Sequence, residues 1–222
     1  MKKSLTHSYS AIKSFEQCGR QYYHVRILKD CRSAATEATL YGTAVHLSME
    51  NFLMHGTPLP PEHARFLPYA VKVSKAPGVM RCEEKMGIRE DFSPCDFFDE
   101  GVWFRGVPDV MVIGDRVARV GDWKTGKSSR YADPDQLELM AAMVMAHYPE
   151  VEEVKGALIF LVANDAVHRT YTRQQLPEIM SKWAGRAARI EAAVESGVWN
   201  PRKSPLCRFC PVSTMDCEFK ES

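Results

Sequence analysis

Hydrophobic and polar positions change period several times along this chain. Residues 8–28 predict a helix: Ser8 or Ser10 can cap it, and Ile12, Phe15, Tyr22, Tyr23 and Val25 recur near helical spacing. Gly19 in its middle weakens the prediction, because glycine costs about 1 kcal/mol in a helix interior. A second helix is expected over 42–55, closed by Gly56, and a short third one over 62–75. Three stretches rich in β-branched and aromatic residues follow, at 79–88, 102–113 and 116–125. They read as strands of one sheet, with Gly114 and Asp115 as a two-residue hairpin turn. Helix returns over 133–148, opened by an Asp cap and a proline in its first turn. Two further strands, 155–163 and 167–172, flank a turn at Asn164 and Asp165, and a last helix over 174–196 ends at Gly197. The tail 198–222 has little regular pattern.

This order of elements predicts an α/β (α+β) layout with one mixed central sheet flanked by helices. A length of 222 residues suits a single domain. Composition excludes other classes: 45% hydrophobic and 26% charged residues fit a soluble globular chain. No apolar run approaches the roughly 20 residues that cross a bilayer. MKKSLTHSYS has no apolar segment behind its lysines and is not a signal peptide, so a cytoplasmic address is expected.

Charge adds one feature. Residues 1–35 hold Lys2, Lys3, Lys13, Arg20, Arg26, Lys29 and Arg32 against Glu16 and Asp30. Seven cations and two acids give +5, so a net charge of +1 leaves −4 elsewhere. A solvated helix face explains this as simply as a phosphate-facing surface does, with Lys13, Arg20 and Arg26 as its DNA contacts.

The candidate chemistry lies on the hairpin. A turn at Gly114 and Asp115 would put Ile113 opposite Arg116 and Asp109 opposite Val120. Asp122 and Lys124 then follow on the same face as Asp109. Diagonal neighbours have Cα atoms about 7–8 Å apart, close enough for two carboxylates to share a cation. Asp109 and Asp122 could hold Mg²⁺ or Mn²⁺ against a phosphodiester, with Lys124 orienting water and offsetting charge. A D-x-K triplet alone is weak, and a solvated charge ladder is its plain alternative.

Four segments together carry more. YGTAVHLSME (41–50), FRGVPDVMVI (104–113), GDWKTGK (121–127) and QLELMAAM (136–143) resemble, in order, the motifs of the PD-(D/E)XK nuclease superfamily. The closest likeness is to its RecB-like exonuclease branch. That resemblance implies a restriction-endonuclease-like core. It makes His46 a further metal ligand, Asp109 and Asp122 the metal-binding acids, and Lys124 the catalytic lysine. Gln136 becomes the helix residue that contacts DNA or orients the lysine. The aromatic position four residues after that glutamine is Met140 here. An acid from the preceding strand can also join such sites, and Glu83 and Glu84 are both candidates.

Seven cysteines without a secretion signal argue against a disulfide framework. Cys31, Cys82 and Cys95 are scattered and read as incidental thiols. Cys207, Cys210 and Cys217 have metal-ligand spacing and need a fourth ligand, for which Cys18 is the natural choice. Four thiolates suit Zn²⁺ or an iron–sulfur cluster equally. The segment around Cys18 resembles the early cysteine motif of RecB-like nucleases with such a cluster, including CRISPR-associated members and the AddB nuclease domain. The resemblance implies a [4Fe–4S] cluster that ties 1–35 to 198–222. The expected activity is Mg²⁺- or Mn²⁺-dependent exonucleolytic processing of DNA, with a helicase or recombination or CRISPR-adaptation proteins as partners. The rival expectations are a DNA-binding adaptor subunit with little turnover and a zinc-stabilised protein with a merely solvated sheet face.

Overall fold

The computed structural model describes residues 5–32 and 34–220; Lys2 and Lys3 of the basic arm lie outside them. The chain folds as two compact units, one centred on residues 36–181 and the other on 7–35 with 182–222. Among the described residues no helix is long and apolar enough to cross a membrane.

The helix expected over 8–28 is interrupted. α1 (Tyr9–Gln17) is capped by Ser8, whose Oγ accepts from the Ala11 amide at 3.2 Å, and it ends at an extended Cys18. α2 (Gly19–Tyr22) restarts the spiral, which continues as a π-helical stretch, Tyr23–Leu28. A Cβ at position 19 would lie 3.0 Å from the Asn200 carbonyl oxygen, so glycine lets the C-terminal segment pass close to the break. In the same unit Trp199 stacks on Tyr22 and Tyr23, with centroids 6.0 and 5.0 Å away.

In the larger unit, α3 (Glu37–His55) starts five residues earlier than its apolar pattern suggested, because Thr36 and Thr39 form a reciprocal capping box. Gly56 ends it in the left-handed region at φ 68°. α4 (Leu67–Ser74) follows a short 3₁₀ turn. The strands are β1 (Val79–Cys82), β2 (Met86–Ile88), β3 (Pro94–Cys95), β4 (Phe104–Gly106), β5 (Val110–Ile113) and β6 (Val117–Lys124). Next come α5 (Asp135–His147), β7 (Glu153–Phe160), β8 (Asp165–Thr172) and α6 (Leu176–Ser196), within which one unit passes into the other.

The expected single sheet is two sheets. A five-stranded mixed sheet runs β1-β5-β6-β7-β8, and a three-stranded one runs β3-β2-β4. The stretch 79–88 splits at Glu83, whose φ of 51° turns the chain out of the ladder. The stretch 102–113 splits around Pro108, which has no N–H to donate. β6 and β7 form the one parallel pair of the large sheet, joined through α5.

The hairpin register also differs from expectation. Ile113 pairs with Ala118, and the Gly114 amide donates to Val117 O at 3.1 Å, which leaves Asp115 and Arg116 at the turn. A glycine-first turn needs a positive φ, and Gly114 has none; it extends the ladder instead. Because side chains alternate with a period of two, this two-residue slip keeps every face assignment intact.

Trp123, 2% exposed, points away from Asp122 and Lys124 into a core of Val45, Met49, Phe66, Ala70, Val110 and Leu161. Trp123→Ala should therefore destabilise the protein by about 3–5 kcal/mol in denaturant titration, as for large buried aromatics. A loss below about 1 kcal/mol would mean that this core does not hold β6 in place.

Candidate active site

The observed register brings the two acids closer than the expected one. One step beyond the Val110–Gly121 pair, Asp109 faces Asp122 directly across the ladder. Asp109 is held there by the Trp123 amide, which donates to its Oδ2 at 2.6 Å. Gln136, in the first turn of α5, donates through Nε2 to Asp122 Oδ1 and accepts from Lys124 Nζ at 2.9 Å. Lys124 Nζ also lies 2.6 Å from Asp122 Oδ2. Gln136 thereby fixes both groups of the D-x-K strand.

His46 comes from α3. Four residues earlier, a Cβ on Gly42 would meet Thr125 Oγ1 at 3.2 Å, so the missing side chain lets this helix face approach the end of β6. One turn on, His46 Nδ1 lies 3.2 Å from Asp109 Oδ1. Of Glu83 and Glu84, the kink after β1 brings Glu83 to His46 and Asp109. Ligand atoms of His46, Glu83 and Asp109 all fall within 4.8 Å of one another. Glu84 instead accepts from the Tyr148 hydroxyl at 2.9 Å and pairs with Arg81 at 3.3 Å.

Electrostatics follow from this crowding. Burial raises the Asp122 carboxyl above the usual carboxylate range and the Asp109 charge adds to it, while Lys124 pulls the other way. Glu83 is raised by partial burial, then by Asp109 and Glu50. Burial works against a charged His46, but the hydrogen bond and charge of Asp109 outweigh it, so its pKa is raised overall. Glu50 was not visible as a site residue, although it lies one helical turn beyond His46. Cys82 is pushed up to about 12 by burial and then by Glu50, Glu83 and Asp109, which keeps this thiol inert.

The donor set suits a hard divalent cation: carboxylate oxygens and an imidazole nitrogen converge, with excess negative charge. Asp122 Oδ2 is buried and, among the described residues, has the Lys124 ion pair at 2.6 Å beside it and no satisfied hydrogen bond. A cation would satisfy that oxygen. Met140, at the position where an aromatic was considered, is 7% exposed and packs beneath Gly106, so it belongs to the core.

A model of the PD-(D/E)XK nuclease superfamily matches residues 6–215. The chain belongs to this superfamily. It is 31% identical over 127 residues to the Gene 69 protein of Mycobacterium phage D29, a match spanning 54% of this chain and 45% of that one. The chain thus matches less than half the length of that curated relative. Its fold is similar to the crystal structure of a protein described as a candidate exonuclease from Eubacterium rectale. The TM-score is 0.54 at 16% identity, with 97% of this chain and 92% of that one covered. The structure of SSO0001 is also similar, with a TM-score of 0.52 at 14% identity over 100% and 90% of the two chains. The mixed five-stranded sheet flanked by helices is accordingly a restriction-endonuclease-like fold.

The remaining sequence candidates lie in the terminal unit. Cys18, Cys207, Cys210 and Cys217 line one cavity. Burial raises the Cys210 thiol, which Cys18 and Cys217 crowd further. Backbone amides of Arg202 and Ser204 donate to the sulfurs of Cys18 and Cys207 at 3.4 and 3.3 Å. Cys31, read as incidental, lies close enough to Cys210 to be raised by it, after burial and Asp30. Of the basic arm, Arg20 donates to the carbonyls of Trp199 and Asp216, Lys13 approaches Glu16 at 3.9 Å, and Arg26 reaches Ser10 Oγ at 3.3 Å.

A raised folded-state pKa means that the folded protein binds protons more tightly than the unfolded chain. The contribution of Asp122 to stability is therefore full at pH values below its unfolded pKa and is lost as pH rises through the folded one. In EDTA, Asp122→Asn should stabilise the protein by about 1–2 kcal/mol at pH 8 and by less at pH 5, as expected for relief of functional strain. Melting temperatures at the two pH values check this, and a variant less stable than wild type at pH 8 would contradict it.

Proposed function

We propose that the chain is a divalent-metal-dependent DNA exonuclease or end-processing nuclease of the RecB-like branch. One observation carries the reading: Asp109 faces Asp122, Lys124 is locked to Asp122 and Gln136, and His46 and Glu83 converge on Asp109. His46, Asp109 and Asp122, joined by Glu83, would hold Mg²⁺ or Mn²⁺. When bound, the ion supplies Lewis acidity to the phosphodiester and lowers the pKa of a water.

The chain's own groups do the rest. The Lys124 side chain lies at the edge of the site, 34% exposed, where it can orient the attacking water and offset charge growing on the phosphate oxygens. Gln136 is a positioning residue, since its amide is hydrogen-bonded to both the Lys124 amine and the Asp122 carboxylate. Asp109 raises the His46 pKa, and a metal ion would need the neutral imidazole, so metal loading should release protons at pH values where His46 is charged.

In the terminal unit, we propose a [4Fe–4S] cluster on Cys18, Cys207, Cys210 and Cys217, with a structural role. Support comes from the common cavity and from amide donors on two of the sulfurs, which favour thiolates. A single Zn²⁺ is the alternative, but its bonds of about 2.3 Å draw sulfurs to within about 4 Å of one another. Among the described residues, the trio gathered within 4.8 Å is the one at His46, not one of thiols. Lys13 and Arg26 are proposed phosphate contacts of the arm. Arg20 acts there chiefly by bracing the tail. The sequence has no P-loop, so unwinding would come from elsewhere, such as a helicase or a recombination or CRISPR-adaptation complex.

End-labelled DNA incubated with anaerobically purified protein and Mg²⁺ or Mn²⁺ tests the activity. Wild type should shorten it, and Lys124→Ala should be slower by about 10²–10³-fold. Shortening that survives in Lys124→Ala sinks the site, and wild type that binds DNA without cutting it favours an adaptor. A colourless protein with stoichiometric zinc would replace the cluster assignment.

A further inference from the structure

The loop between the two halves of the site is the most exposed chemistry beside it. Residues 125–134 leave β6 directly after Lys124 and enter α5 just before Gln136. With Lys124 at its entrance, the loop holds Lys127 and Arg130 against one acid, Asp133 at its far end. At its outer turn Tyr131 is 84% exposed, and the Arg130 guanidinium lies 5.5 Å from its ring centroid. An aromatic residue left this open gains nothing from burial.

The loop is nonetheless built. The Ala132 amide donates to Ser129 O at 2.8 Å, the Arg130 amide to Ser128 Oγ at 3.1 Å, and the Asp135 amide to Asp133 Oδ1 at 3.0 Å. Ser129 Oγ is hydrogen-bonded to Asp165 at the start of β8. The Tyr131 ring is therefore held out from an anchored turn. Gln136 is five positions further along the chain, so the Tyr131 Cα lies at most about 18 Å from that residue even on a fully extended path. Single strands without sequence preference are bound by this combination of cations tracking phosphates and an aromatic face for a base.

We infer that Tyr131, with Lys127 and Arg130, is a stacking platform for an unpaired base next to the scissile phosphate, making single-stranded ends the preferred substrate. This rests on the nuclease reading above. Inside a duplex the base faces are already stacked on neighbours, and a blunt end opens only the outer face of its last pair, whose bases stay paired. A frayed or single-stranded end offers one. Lys127 and Arg130 would contribute equally to either substrate, because phosphates are common to both.

The test uses the full-length protein and a 12-nucleotide single strand with 2-aminopurine near one end, beside a blunt duplex of the same length. Binding is measured in EDTA, which separates it from cleavage. Tyr131→Ala should weaken single-strand binding about tenfold and abolish quenching of the 2-aminopurine, while changing duplex binding less than about twofold. Tyr131→Phe keeps a stacking face and should restore both. Arg130→Ala should lower the salt dependence of binding to both substrates by about one unit of log–log slope, which Tyr131→Ala should leave alone. If wild type degrades DNA but Tyr131→Ala binds and quenches like wild type, or loses both substrates equally, the platform is wrong and the nuclease reading stands. Wild type that neither binds nor degrades either DNA overturns the nuclease reading, and the platform with it.

Discussion

Two carboxylates held face to face in a largely buried place repel one another, and much of the larger unit can be read as an arrangement around that repulsion. Asp109 and Asp122 meet because the β5–β6 register ends at Val110 and Gly121, one step short of them. The Trp123 amide, the Gln136 side chain and Lys124 each compensate one carboxylate oxygen. The Trp123 ring, on the opposite face, ties the same strand to the core under α3 and α4. The lysine and the amides do not cancel the effect of this setting: burial first, and the neighbouring acids after it, keep Asp122 and Glu83 raised, and Asp109 raises His46 against its burial. On the proposed reading a cation would offset that charge, which would link the energetics of folding to metal binding.

Three close approaches let distant segments reach that point. Gly42 lets α3 come against Thr125, so that His46 and Glu50 present one face to the strand ends. The left-handed backbone of Glu83 swings its carboxylate back towards Asp109 and ends β1. Gly156 in turn leaves room for Leu137 of α5, with a Cβ there 3.1 Å from that side chain, and so sets the height at which Gln136 enters the site. The terminal unit uses the same device at Gly19, where absence of a side chain admits the chain near Asn200 and leaves Cys18 extended beside the cysteine-rich tail.

Elements with strong periodicity were legible in the sequence: α5, α6, β7 and β8 fall close to their expected bounds, and the face shared by Asp109, Asp122 and Lys124 follows from alternation alone. The turn was misread because Gly114 could serve either a II′ turn or a ladder position, and local residue preference does not decide between them. That error left the face intact, since it was an even slip. The two-sheet division was not legible because the breaks at Glu83 and Pro108 lie inside continuous apolar runs. Ordered motifs pointed to His46 and Gln136, whereas Glu50, the choice of Glu83 over Glu84, and Cys31 beside Cys210 depend on tertiary proximity that no spacing encodes. Tyr131 escaped notice for a similar reason: in sequence it is one loop aromatic, and only its exposure beside the site gives it meaning.

Metal placement is the most direct test. Anomalous diffraction from crystals soaked in Mn²⁺ should show a peak bounded by His46, Glu83, Asp109 and Asp122, lost in Asp109→Asn. Manganese absent from that position at saturating concentration, or bound elsewhere in the unit with these side chains unchanged, would contradict the site as described.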